Sequence, residues 1–177
     1  MNVVGPLLVL VGIAAVVGSL AYVVSYNRLV SRTQQVADAW ATIDVELQRR
    51  HVLVPQLIAS VQAAAAHEQS LLVELARRNV AAAAAPHTPA AATAWEPPLA
   101  HALHQVLALG ERYPALDSQH DFLRLQHELA ITEDRIAAAR RFYNTRVQHL
   151  NTAIDAFPSK IVANHHDVPK ADFFDDD

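Results

Sequence analysis

Six polar residues stand where a helical chain is expected to bury carbon. Glu68 falls within about 20° of the middle of its helix's apolar face, and Arg50 continues the apolar seam of the helix before it. Further along, Glu133, Arg140, Asn144 and Asn151 lie within about 40° of one another, in a stripe roughly 70° from the apolar centre. Asn is a poor choice inside a helix because its side chain competes with the backbone for hydrogen bonds. Two acids and a guanidinium (Glu68, Glu133, Arg140) invite a paired-carboxylate hydrolase or a metal-binding regulator. A narrow bundle without a loop-built cleft favours structural ion pairing instead. Of the ten histidines, His101 and His104 are spaced i,i+3 for one metal, but no carboxylate completes that set. The tail "NHHDVPKADFFDDD" offers weak cation ligands and otherwise reads as a solvated acidic run. There is no Gly-rich phosphate loop and no nucleophile elbow. These residues name no catalytic, cofactor or metal site and no small-molecule substrate.

Helices must position all six. Residues 26, 29, 33, 36, 40, 43 and 47 form a 3-4 seam, which predicts a first helix to about residue 52. Pro55 suits a first turn, so a second helix is expected from there to about residue 84. Residues 85–98, with Pro86, Pro89, Pro97 and Pro98, read as a Pro/Ala-rich loop dispensable for folding. A third helix follows over about 98–112. A fourth is expected from a capping-box-like Ser118 to about Phe157. No strand signal occurs. The expected fold is all-α, an antiparallel bundle of long helices. Matching levels at 1.5 Å per residue pairs Glu68 with Arg140 and Arg50 with Glu133, leaving Asn144 and Asn151 to satisfy nearby groups.

The chain has 177 residues, 52 % of them hydrophobic and dominated by Ala. Its net charge is −4, with five acids in the last eleven residues, so the body is near neutral and nucleic-acid binding is disfavoured. Cys is absent, which excludes disulfides and thiolate metal sites. Residues 3–24 are 22 residues without a charge, about 33 Å as a helix, enough to cross a bilayer core of ~30 Å. A signal peptide is the competing reading, with "SLA" at 19–21 as a cleavage-like site. The missing basic n-region and the length of the apolar run favour an uncleaved anchor. Arg28 and Arg32 follow the span, so the positive-inside bias sets the N-terminus outside and the rest in the cytoplasm, as a single pass through the inner (plasma) membrane. Gly5, Gly12 and Ser19 recur every seven residues, a face that would permit self-association. The domains expected are an anchor over 1–25, a bundle over 26–162 and an acidic tail over 163–177.

Several stretches together resemble the LemA family of membrane-anchored bacterial proteins. They are "YNRLV" at 26–30, "WATIDVELQRR" at 40–50, "LVPQL" at 53–57, "AHEQ" at 66–69, "RYPAL" at 112–116 and "TEDRIAAARRFYNTRVQHLNTAIDAFPS" at 132–159. The match runs over about residues 22–162, and "ADFFD" near the end resembles the family's aromatic-acidic terminus more loosely. The resemblance implies one transmembrane helix and a helical cytoplasmic domain. It implies no activity, cofactor or catalytic residue. The expected function is a membrane-anchored helical scaffold or interaction protein that is not an enzyme. Its expected partners are the bilayer, along residues 3–24, and either another protein or a second copy.

Overall fold

The computed structural model describes residues 4–62 and 64–174, and the regular structure among them is helical throughout. The chain runs α1 (Val4–Gln62), a 3-10 turn (Ala66–Glu68), α2 (Gln69–Ala83), α3 (Pro89–Leu107), α4 (Leu109–Arg112), α5 (Pro114–Asp117), α6 (His120–Asp155) and α7 (Ser159–His165). It forms two compact units. One comprises the chain up to Asp38 with Thr145–Ala171, the other Ala39–Asn144 with the residues from Asp172 onward.

In the first unit the described apolar residues from Leu8 to Val24 are exposed, apart from the half-buried Ala21, and burial begins at Ser25 and Leu29. Among the described residues α1 is the one helix long and apolar enough to cross a membrane. Beyond the span, Arg32 donates to the His149 carbonyl, and Arg146 donates to Gln35 Oε1 at 3.0 Å. Contacts ascend along α1 as they descend along α6, so the two segments are antiparallel. The α7 helix ends in a Schellman motif. Val168 N–H bonds the Ala163 carbonyl at 3.0 Å, and Asp167 takes the left-handed conformation (φ 49°) that more often selects glycine.

In the second unit the core is built by Leu57 and Val61 of α1, Leu75 of α2, Leu99, Leu103 and Val106 of α3, and Phe122, Leu125 and Leu129 of α6. The α4 segment needs Gly110: a Cβ there would meet the Phe122 ring at 2.9 Å.

Four expectations are corrected here. The chain does not break at Pro55, which lies inside α1. Proline removes the N–H that would bond the carbonyl four residues back, on His51. That carbonyl instead accepts from Asn79 Nδ2 at 3.1 Å, while His51 Nδ1–H donates to Asn79 Oδ1 at 2.9 Å. Leu53, Val54, Leu57 and Val61 are all buried around the proline, so packing holds the helix through it. The reversal falls after Gln62, inside an alanine run. Secondly, the 85–98 segment is not a loop. Thr88 caps α3 by accepting from Ala91 N–H, and Pro89 occupies the first turn, where its missing N–H costs nothing. Pro97 and Pro98 leave two carbonyls, on the half-exposed Thr93 and the exposed Ala94, within reach of water. Thirdly, Ser118 does not cap α6. Its hydroxyl donates to the Ala115 carbonyl at 3.0 Å, and the Gln119 carbonyl accepts the first bond of α6. Lastly, residues 163–174 are not a free acidic tail, since α7 and the segment beyond it are packed down, with Phe174 fully buried. Residues 175–177 lie outside the described residues.

The Asn79 contact carries a test. Asn79→Ala should cost about 1–3 kcal/mol by leaving the His51 carbonyl bare. In a Pro55→Ala background that carbonyl regains its helical donor, so the same substitution should cost less than half as much. Equal losses in urea denaturation of the two backgrounds would show that Asn79 acts elsewhere.

Candidate functional site

Arg50 is the largest fully buried side chain. It reaches the middle of the second unit because it continues the Ile43, Leu47, Leu57 face of α1. Its Nη2 lies 2.5 Å from Glu96 Oε2 and its Nη1 2.8 Å from Glu133 Oε1. The Glu96 side chain is 3 % exposed and that of Glu133 27 %. Burial alone would push the guanidinium's pKa down, but the two carboxylates together outweigh it and raise it. Arg50 therefore keeps its positive charge. Alongside, Arg135 reaches Glu46 at 3.4 Å.

The remaining residues of the expected network are not gathered at this triad. Glu68, placed by sequence on an apolar face, sits at the end of the 3-10 turn, 3.1 Å from Arg112 Nη2, and accepts from the Tyr113 hydroxyl at 3.1 Å. Glu68 does not pair with Arg140. The guanidinium of Arg140 lies 5.1 Å from the Phe174 ring centroid. The level-matching failed because it counted Glu68 up from Ala84 as the membrane-side end of a long helix begun at Pro55. Instead α2 spans only Gln69–Ala83, Glu68 lies before its start, and His87 beyond its end meets Asp44. Glu68, Glu133 and Arg140 thus belong to three separate environments and form no common acid, base or ligand set.

The asparagines serve the chain's final segment. In the second unit Asn144 Nδ2 donates to the Phe174 carbonyl (3.0 Å) and Asn144 Oδ1 accepts from Phe174 N–H (2.9 Å). The Tyr143 hydroxyl donates to the Asp172 carbonyl at 2.8 Å, and burial pushes its pKa up to about 12, so it stays a donor. Phe174 stands edge-on to Trp40, with ring centroids 5.6 Å apart, and Trp40 in turn meets Tyr143. In the first unit Asn151 makes the same two-bond grip on Ala171, at 2.9 and 3.0 Å. Each primary amide thereby pairs with a main-chain N–H and C=O as a neighbouring strand would. Seven residues of helix rise about 10.5 Å, and three residues of extended chain cover about 10 Å. A heptad of helix and three residues of extended chain are thus nearly equal in length.

Trp95, His51, Trp40 and His87 surround a closed space of about 10 Å³, room for one water at most. His87 Nδ1 contacts Asp44 Oδ1 at 2.7 Å, and Trp40 Nε1 donates to the His87 carbonyl at 3.0 Å. His51 is half-buried against Trp95, and desolvation is the main cause of its lowered pKa, so it is neutral at pH 7. Among the described residues no three His, Asp or Glu side chains gather as metal ligands.

Sequence reasoning missed Glu96, Asn79, Phe174 and Trp40 as members of these clusters. For Glu96 a signal existed: Ala92, Glu96, Leu99, Leu103 and Val106 keep a 4-3-4-3 spacing, and Thr88-Pro89 is a cap followed by a first-turn proline. For Phe174 there was none.

Long helices closed around an internal ion triad, with a terminal segment held by amide side chains, define an all-α protein whose polar residues serve its own architecture. The chain belongs to the LemA family, whose sequence model matches residues 39–177. The matched stretch includes the tail that sequence resemblance related only loosely, and it leaves out residues 22–38. No curated protein matches the chain significantly in sequence.

Proposed function

We propose that this protein is a membrane-anchored helical scaffold or interaction protein without catalytic activity. It spans the inner (plasma) membrane once, with the N-terminus outside and the helical domain in the cytoplasm. The observation that carries this reading is α1 itself. Its first part is an exposed apolar segment, and the same unbroken helix supplies core side chains to the helical domain. Such an exposed patch on a surface in water would be costly, and a bilayer relieves it. The absence of catalysis is supported by the placement of the ionisable groups. Glu96 and Glu133 are both bound to Arg50, and Glu68 to Arg112 and Tyr113, so these carboxylates are engaged within the protein's own framework.

The orientation rests on Arg28 and Arg32 after the span. A reporter fused after Asp177 should be active only as its cytoplasmic form. Activity of an exported reporter, or loss of residues 1–21 from the mature chain, would refute the topology. In-cell crosslinking with mass spectrometry then names the partner, whether another protein or a second copy. Crosslinks confined to single chains would count against the scaffold role.

A further inference from the structure

Where the apolar segment of α1 ends, the first unit holds a groove of about 360 Å³. At one end lie Ala21 and Val24, the last turns of the uncharged span, and one and two turns further along α1 are Arg28 and Arg32. The facing wall comes from the end of α6 and the turn after it, including Phe157 and Ser159. Arg32 gives one hydrogen bond to the His149 carbonyl. Neither arginine makes an ion pair among the described residues, and the acid nearby in sequence on α6, Asp155, is held by Lys170 at 2.7 Å. Ser25 and Ser159 are buried in the groove's walls, and neither hydroxyl is used by the protein among the described residues. Two like charges in a half-closed, partly apolar groove repel each other. Accordingly the Arg32 pKa is lowered, first by burial and then by Arg28. An anion would relieve both effects.

Its source follows from position. Arg28 lies about 6 Å and Arg32 about 12 Å beyond Val24 along the helix. The head-group layer of a bilayer occupies roughly the first 5–8 Å outside the hydrocarbon, so Arg28 lies within it and Arg32 starts about 4 Å beyond it, a gap that an arginine side chain can span. Beside the groove, Phe157 is 84 % exposed and Ile161 58 %, with Lys160 exposed between them in sequence. Large apolar side chains flanking a lysine at this level suit the boundary between acyl chains and head groups. We infer that the Arg28–Arg32 groove binds the phosphate of an anionic phospholipid, with Phe157 and Ile161 entering the interface beside it. A zwitterionic choline head would bring its own cation against the arginines, so selectivity for net-negative lipid follows.

This inference rests on the membrane-anchor reading, and the experiment separates the two. The full-length chain in neutral detergent is titrated with phosphatidylglycerol or phosphatidylcholine, and bound lipid is counted by native mass spectrometry. The wild type should prefer phosphatidylglycerol by roughly thirtyfold, from two basic contacts. Arg28→Gln with Arg32→Gln should bring that preference below about threefold, whereas the Arg28→Lys/Arg32→Lys pair and a distant Arg49→Gln change should keep most of it. A wild type without preference, or a glutamine variant that retains it, overturns the inference. So does complete displacement of the lipid by millimolar inorganic phosphate, which would make the site one for free phosphate. Should Phe157→Ala with Ile161→Ala dissociate a dimer and leave lipid uptake unchanged, the patch is covered by a second copy and the interfacial contact is wrong. Flotation with pure phosphatidylcholine vesicles reads the anchor alone. Equal flotation of wild type and glutamine variant places any loss in the groove, and a wild type that does not float removes the anchor and this inference with it.

Discussion

Replacing Arg50 by Met should unfold this protein more readily than any other single change on α1. The substitution leaves Glu96 buried beside Glu133 without a cation, at a cost of about 3–5 kcal/mol, or a fall in Tm on the order of 10 °C. Glu133, partly exposed, relaxes toward water, so Glu96 dominates the loss. Glu133→Gln should accordingly cost less than Glu96→Gln. Changing all three members to Met should recover most of the stability, because the desolvation of the ions is then avoided together with their attraction. Thermal unfolding of the full-length chain in mild detergent checks the series. A loss below about 1 kcal/mol for Arg50→Met would mean that water reaches the triad freely.

Phe174→Ala should have an effect of similar size, about 3–5 kcal/mol, since a fully buried ring leaves a cavity between Trp40 and the Arg140 guanidinium. Its signature is local as well as global. Amide exchange at Phe174 should accelerate by orders of magnitude, as should cleavage of the terminal segment by an added protease. Asn144→Ala should reproduce the faster exchange with a smaller loss, about 1–3 kcal/mol, by stranding the Phe174 N–H and carbonyl. An unchanged exchange rate in both variants would show that the segment is held by something other than the asparagine and the ring.

The helical class and the seams of α1 and α6 were legible because apolar residues recur at helical spacing, and packing obeys that periodicity. The turn between α1 and α2 was not. It falls in "AAAAHE", where every residue favours helix, while the one conventional breaker, Pro55, sits inside α1 with its orphaned carbonyl served by Asn79. Local propensity and tertiary partner point in opposite directions there, and the partner lies 28 residues away from His51. The α3 helix was hidden by composition: prolines at 89, 97 and 98 obscured a seam that Glu96 completes. Of the six polar residues singled out, Arg50 and Glu133 meet across α1 and α6, while Glu68 found neighbours at the end of α4 and just beyond it that no count along a helix could supply. The asparagines were visibly out of place, but the backbone they hold belongs to a short extended segment without periodicity of its own.

That segment is held in an unusual division of labour. The Asn144 amide takes the peptide groups of Phe174 and the Tyr143 hydroxyl the carbonyl of Asp172, and such bonds to the main chain cannot tell one side chain from another. The Phe174 side chain is read by the Trp40 ring, itself backed by Tyr143, and by the Arg140 guanidinium. Residues 172 and 173, both exposed, are therefore free to drift in composition and charge while docking is preserved. Over residues 172–174 the information needed to seat the chain is concentrated at Phe174, and the two residues before it are left open to change.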